Sequence, residues 1–326
     1  AWCVLVVFAL HLPGTPAAFA APSGEEVVHG EATFTREGNE TLIETGTHET
    51  IVDYDSFDIL ADEIVRIDQP NEDSRILNRI PFGGSTHIDG SLLSNGVVYI
   101  LNPAGVFAGD TAIIDVNALV AAAGDLSNED FLAGNDLFTL SGDVVVAEGA
   151  QIAAADSVAL LGRRVANFGT ILAQGGYVAF VAGDRAVLGK LDGRLAIRVD
   201  GGDSELDDFA LTQAGTVEGP RVSLTAGDTY SLAMNHTGVT RGREIELRAG
   251  NEGLVQVAGE VDASAQADES GGRIHVLGDK IAVLAATLDA SGPSGGGEIR
   301  VGGDVRGEGE LPTARRLYIA PEAVLR

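Results

Sequence analysis

The segments GGRIHVLGD (Gly271–Asp279) and GGEIRVGGD (Gly296–Asp304) align without a gap, 25 residues apart. VDAS at Val261 and LDAS at Leu288 precede them, while GGYVAFVAGD (Gly175–Asp184) and RVSLTAGD (Arg221–Asp228) carry related versions of the unit. A unit this short cannot enclose a core of its own, so successive units must stack and share one. Within each unit the apolar period is two: Ile274 and Val276 alternate with Arg273 and His275, Ile299 and Val301 with Glu298 and Arg300, Ile245 and Leu247 with Glu244 and Glu246. That pattern gives strands with one dry face and one wet face, and Gly, Asn and Asp supply the turns between them. Propeller blades need about 40–50 residues each, longer than the spacing here, so the expected fold is all-β, a parallel β-helix.

With strands about 4.8 Å apart and about 25 residues per coil, the chain makes roughly ten coils and a rod on the order of 50 Å long. The composition suits thin stacked layers: 45% hydrophobic residues but only 5% aromatic, with 43 glycines among 326 residues. Ser127–Ala133 is the one helical turn expected, with Ser127 and Asp130 forming a capping pair. The segment from Glu25 to about Asn78 is less repetitive, with short alternating strands rich in Thr and Glu. Placed at the open front of the stack, it would cap otherwise unpaired strand edges. VVYIL (Val97–Leu101) is apolar at every position, so its outward face requires cover from the cap or from a hairpin folded over the side.

Residues 1–20 differ from the rest. WCVLVVFAL is too short to span a bilayer, and it leads through a Pro/Gly break to Ala18-Phe19-Ala20, a signal-peptidase pattern. These residues read as a secretory signal peptide whose front is missing, cut near Ala20–Ala21. Cys3, the single cysteine, lies inside it, which leaves the mature chain without thiols, to be held by packing and backbone ladders. The net charge of −27 repels phosphate backbones and anionic lipid, so nucleic acid is excluded as a partner. Asn102-Pro103-Ala104 is also the pore tripeptide of water channels. No later segment approaches about eighteen consecutive apolar residues, so that helical architecture is excluded and no membrane span is expected.

Between VVYIL and the next apolar run lies Asn102-Pro103-Ala104-Gly105. Pro fixes φ at the second position of a turn, while Asn suits the first and Gly the exit. The tetrapeptide therefore reads as a β-turn between strands. Its setting, Asn78 to Ala122, is NRIPFGGSTHIDGSLLSNGVVYILNPAGVFAGDTAIIDVNALVAA. This stretch resembles the haemagglutination-activity segment of filamentous-haemagglutinin-type exoproteins, the secreted partners of two-partner secretion. The matching residues are Asn78-Arg79, Ile88-Asp89-Gly90, Asn95-Gly96, Asn102-Pro103 with Gly105-Val106, and Leu119-Val120-Ala121. DFLAG (Asp130–Gly134) and VANFGTILAQGGYVAFVAGD (Val165–Asp184) fit the same family.

The resemblance implies a right-handed parallel β-helix with an N-terminal cap. It also implies recognition in the periplasm of a Gram-negative-type cell by an outer-membrane β-barrel transporter with POTRA modules, followed by release at the cell surface. Asn102, Pro103 and Gly105 take the place of the family's Asn-Pro-Asn-Gly secretion motif, with Ala104 where the motif has its second Asn. QPNEDSRILN (Gln69–Asn78) is the nearest counterpart of a second such motif. The organisation expected is a leader over residues 1–20, a cap and secretion segment over 21–140, and coils of an adhesin shaft over 141–326 that continue past Arg326. A host-cell glycan or protein is the target class of such an adhesin.

The competing reading is a carbohydrate-active β-helix, a polysaccharide lyase or hydrolase. It needs two or three acids, or a basic residue beside a metal, aligned on neighbouring coils. Asp53, Asp55 and Asp58, and Asp203, Glu205, Asp207 and Asp208, are the candidates, and both groups read as solvated turns. His29, His48, His87, His236 and His275 are dispersed without metal-ligand spacing, and His275 falls on a wet strand face. Arg163-Arg164 reads as turn charge. The Gly-Gly pairs precede no helix and so are not phosphate loops. Asn39-Glu40-Thr41 and Asn235-His236-Thr237 match the glycosylation sequon. The sequence points to a non-enzymatic secretion module with no cofactor and no metal.

Overall fold

The computed structural model describes residues 21–191, 194–200, 208–228, 230–266 and 268–326. The leader with Cys3 and the acidic residues Asp203, Glu205 and Asp207 lie outside them. From Arg75–Arg79 onward, each coil contributes one strand to each of three sheets. In one coil, Val97–Leu101 lies in the first sheet, Val106–Ala108 in the second and Ile113–Val116 in the third, after which Ala118–Ala122 returns to the first. Successive coils pair in parallel: Val98 opposes Leu119, Val106 opposes Val144 and Ile114 opposes Ile152. The described strands form sheets of 11, 9 and 12 members, a parallel β-helix as the repeats require.

The alternation seen in the sequence sorts directly into faces. Ile76, Val98, Leu119, Val158, Val178, Val222, Ile245 and Ile274 stand in register down the first sheet, and all are buried in the single long core. Each such side chain stabilises the rod by about 2 kcal/mol. Coil length is less regular than the repeats suggest. Ala159 and Ala179 are neighbours across one step, whereas Val178 is followed in register by Val222. The difference is chain that leaves the rod after Ala182 for a separate antiparallel sheet and is back in the ladder by Leu211.

The front is closed by antiparallel pairing. Glu26–His29 runs antiparallel to Glu49–Asp53 at the edge of the first sheet. Ala32–Glu37 folds back on Glu40–Thr45 at the edge of the third, and the latter strand begins the parallel ladder with Ile64–Asp68. Reversing strand direction here covers the edges that would otherwise template another chain.

The outward face of the first sheet changes character along the rod. Ile51, Leu77, Tyr99, Val120, Ala159 and Ala179 follow one another in register, and the same column then continues as Ser223, Glu246, His275 and Arg300. The apolar part is roofed by the helix Asn128–Ala133 and by a separate antiparallel sheet of Gly124–Asp125, Asp136–Leu140, Arg185–Leu191 and Arg194–Asp200. Tyr99, Leu101, Val120 and Leu161 meet Phe131, Phe138, Leu140 and Leu188 in a second core. VVYIL thus has the lateral cover that its two apolar faces require.

The helix starts at Ser127, whose hydroxyl accepts from the Asp130 amide, and stops at the left-handed Gly134. Asp136 accepts a hydrogen bond from the Tyr99 hydroxyl at 3.1 Å. Burial pushes both groups up from their ordinary pKa values. Among the described residues no helix is long and apolar enough to cross a membrane.

Candidate secretion-motif turn

Asn102–Gly105 forms the corner between the first and second sheets. The Gly105 amide donates to the Asn102 carbonyl at 3.0 Å, and the Asn102 side-chain Oδ1 accepts from the Ala104 amide at 2.9 Å. Gly105 has φ +130°, and a Cβ there would come within 2.8 Å of the Phe107 ring. This is the β-turn that the local sequence dictates.

What the local sequence does not show is where the Asn102 amide goes. Its Nδ2 donates to the Gly84 carbonyl at 2.9 Å and to Thr86 Oγ1 at 3.0 Å, both on the preceding coil. The residue is only 2% exposed. Pro103 is half-buried, its carbonyl taken by the Ser141 hydroxyl at 2.9 Å on the following coil. Ala104, standing where the family motif has Asn, is the exposed member. The polar atoms of the Asn102 side chain and the Pro103 carbonyl are therefore spent on the turn itself and on joining three coils. Asn102→Ala removes three hydrogen bonds in a buried corner and is expected to lower stability by about 2 kcal/mol. A denaturant titration checks this, and an unchanged midpoint would show these bonds to be incidental.

The other motif residues also act between coils. Asn78 points into the core between Val52 and Ile100. It donates to the Tyr99 carbonyl at 3.1 Å and accepts from the Tyr54 hydroxyl at 3.1 Å. Arg79 makes a two-pronged pair with Asp53, at 2.8 and 3.0 Å, and donates to Asn128 Oδ1 at 2.8 Å, tying the lateral helix to the rod. Ile88 is buried, and the Asp89 amide donates to the Ile59 carbonyl at 2.8 Å. At Gly90 a Cβ would lie 2.1 Å from the Leu60 carbonyl oxygen. Asn95 bonds both the amide and the carbonyl of Gln69, each at 2.8 Å, beside Gly96. Of the second candidate motif, Asn71 is an exposed turn residue whose Oδ1 accepts from the Asp73 amide at 3.1 Å.

The acidic candidates for catalysis have structural engagements. Asp53 is held by Arg79, and Asp58 accepts from the Ser56 hydroxyl at 2.9 Å and from the His87 amide at 2.7 Å. Neither is the freely solvated turn residue expected, because each joins neighbouring coils. Asp55 is exposed, and exposed Asp208 caps the Phe209 amide at 2.7 Å. His275 is likewise not solvated: its side chain is largely buried and stands 2.9 Å from Glu298 Oε1. Arg164 opens a strand of the second sheet and pairs with Asp143, while Arg163 pairs with Asp184 at 3.3 Å.

His29 is exposed, and His48 faces Ser74 at 3.4 Å. Both sequon asparagines are engaged, Asn39 with the Asp62 carbonyl and Asn235 with Gln256 at 3.2 Å. Among the described residues no three His, Cys, Asp or Glu side chains converge as a metal site.

Two features escaped the sequence reading. His236 lies inside the rod with Asn167 and Gln213 as register neighbours, a polar ladder within the core. The loop Pro81–Ser85 presents Phe82, 86% exposed. An aromatic set between a proline and a glycine pair was the available signal.

Comparison with known proteins agrees with this geometry. The HMW1 secretion domain of Haemophilus influenzae superposes with a TM-score of 0.82 at 26% identity, covering 94% of this chain and 84% of that one. A heme/hemopexin-binding protein of Haemophilus influenzae is 38% identical over 159 residues, 46% of this chain. The matched segment spans 18% of that relative's length. The TPS secretion domain family matches residues 18–268. That span takes in the cap, the Asn102–Gly105 corner and the lateral sheet, and the chain belongs to the TPS secretion domain family.

Proposed function

We propose that this chain is the recognition and nucleation module of a large exported adhesin, handed to an outer-membrane β-barrel transporter through that transporter's periplasmic POTRA modules. The family match over residues 18–268 carries the reading. The division of labour follows the rod. Residues 21–140 hold the cap and the motif corner, and the coils over 141–326 extend the shaft, with residues 1–20 as the leader that brings the chain to the periplasm. A closed front and an intact first few coils give later coils a finished edge on which to form, which is how a stacked fold propagates. Asn102, Pro103 and Gly105 set the corner geometry on which recognition depends. Asn78, Arg79, Ile88, Asp89, Gly90, Asn95 and Gly96 hold the neighbouring coils around it.

The test is surface export with the cognate transporter co-expressed. Asn102→Asp combined with Pro103→Ala is expected to reduce the amount exported several-fold while periplasmic levels persist. Undiminished export would remove the corner from the recognition pathway.

A further inference from the structure

The Asn102 side chain cannot itself offer polar groups to a partner, since they are consumed inside the fold. Its amide instead fixes the Gly84 carbonyl and Thr86, two points on the chain that leads from Phe82 into the second sheet. Phe82 is the most exposed large hydrophobic side chain among the described residues, at 86%. The strand that follows carries a second pair of rings. His87 and Phe107 are register neighbours on the outward face, with rings stacked 5.2 Å apart and 12° from parallel, and Val145 follows Phe107 in the next coil.

Asp58 holds the His87 amide and stands beside its ring, placing a carboxylate at the edge of this surface. A solitary exposed aromatic, followed along the chain by an anchored carbonyl and a stacked ring pair with a carboxylate beside it, has the form of an interface anchor.

We infer that Phe82, with the His87–Phe107 pair, is the surface that docks on the transporter's periplasmic module, and that Asn102 is a positioning residue for it. The complementary site is an apolar pocket sized for one aromatic ring with a basic group at its edge to meet Asp58, and the chain's net charge of −27 draws a basic surface towards it. This inference rests on the secretion reading above and assigns its contact to specific side chains.

The experiment measures binding of the folded chain to the purified periplasmic module of its cognate transporter. Phe82→Asp is expected to weaken binding by about tenfold or more with an unchanged unfolding midpoint, and Phe82→Tyr to retain most of it. His87→Ala with Phe107→Ala gives a second, smaller loss. Asn102→Ala weakens binding as well, and a shift of its unfolding midpoint identifies the route as positioning. Wild-type binding together with undiminished binding by Phe82→Asp overturns this inference and leaves the secretion reading standing. Failure of the wild-type chain to bind the module defeats both.

Discussion

Gly90→Val is expected to cost about 4 kcal/mol of stability, through overpacking against backbone that cannot yield. A Cβ at this position would lie 2.1 Å from the Leu60 carbonyl oxygen and 2.4 Å from that of Glu63. Neither atom is the end of a flexible side chain, and the Gly90 amide donates to the Ile59 carbonyl at 3.1 Å. Relief would therefore require two coils to separate at the front of the rod. Gly84→Ala is the matched control, because a Cβ there meets nothing within 4 Å. Equilibrium unfolding in urea should separate the two variants clearly, and a valine variant as stable as the control would refute the close approach of these coils.

Acidification is the second large effect. His236 is fully buried. Its Nε2 is 2.9 Å from Thr240 Oγ1, and Nδ1 has no hydrogen-bond partner among the described residues. Desolvation holds the imidazole down to about 4, from an ordinary value of 6.5. The unfolded chain takes up the proton first, so the stability that the neutral ring contributes is complete above pH 6.5. It declines as the pH falls from there towards 4, by about 3 kcal/mol in all. His236→Gln keeps a polar neighbour for Gln213 and removes the titration. The difference in unfolding free energy between wild type and variant, followed from pH 7 to 4, should shrink or reverse in the variant's favour. A constant difference would show that the ring is solvated.

The strands and their stacking were legible because alternation and repetition are local properties. Ile274 and Val276 sit on the dry face as their spacing demands. VVYIL announced a cover because no residue in it could face water. The same alternation also held a signal that the dispersed histidines concealed. In LAMNH, Met234 and His236 share a face, so the histidine had to lie in the core. Coil length was less legible, since the helix Asn128–Ala133 and the lateral strands leave and rejoin the rod without altering its register.

At the candidate site the turn was legible and its purpose was not. Asn102 and Pro103 specify a corner through their own backbone preferences. The partners of the Asn102 amide, Gly84 and Thr86, lie a coil earlier, where only stacking brings them within reach. A motif read one residue at a time thus suggests a surface for contact, whereas the assembled coils show a clamp. The residue that the clamp presents, Phe82, carried no periodicity by which to find it.

The change along the outer column of the first sheet, from the apolar run ending at Ala179 to Ser223, Glu246, His275 and Arg300, has a mechanical meaning. Beyond the roof, each turn of chain is gripped only by the one before it, so a pull from the far end would strip turns singly, like thread from a spool. The peeling would stall where the roof begins, because there one turn cannot lift without tearing a second layer away.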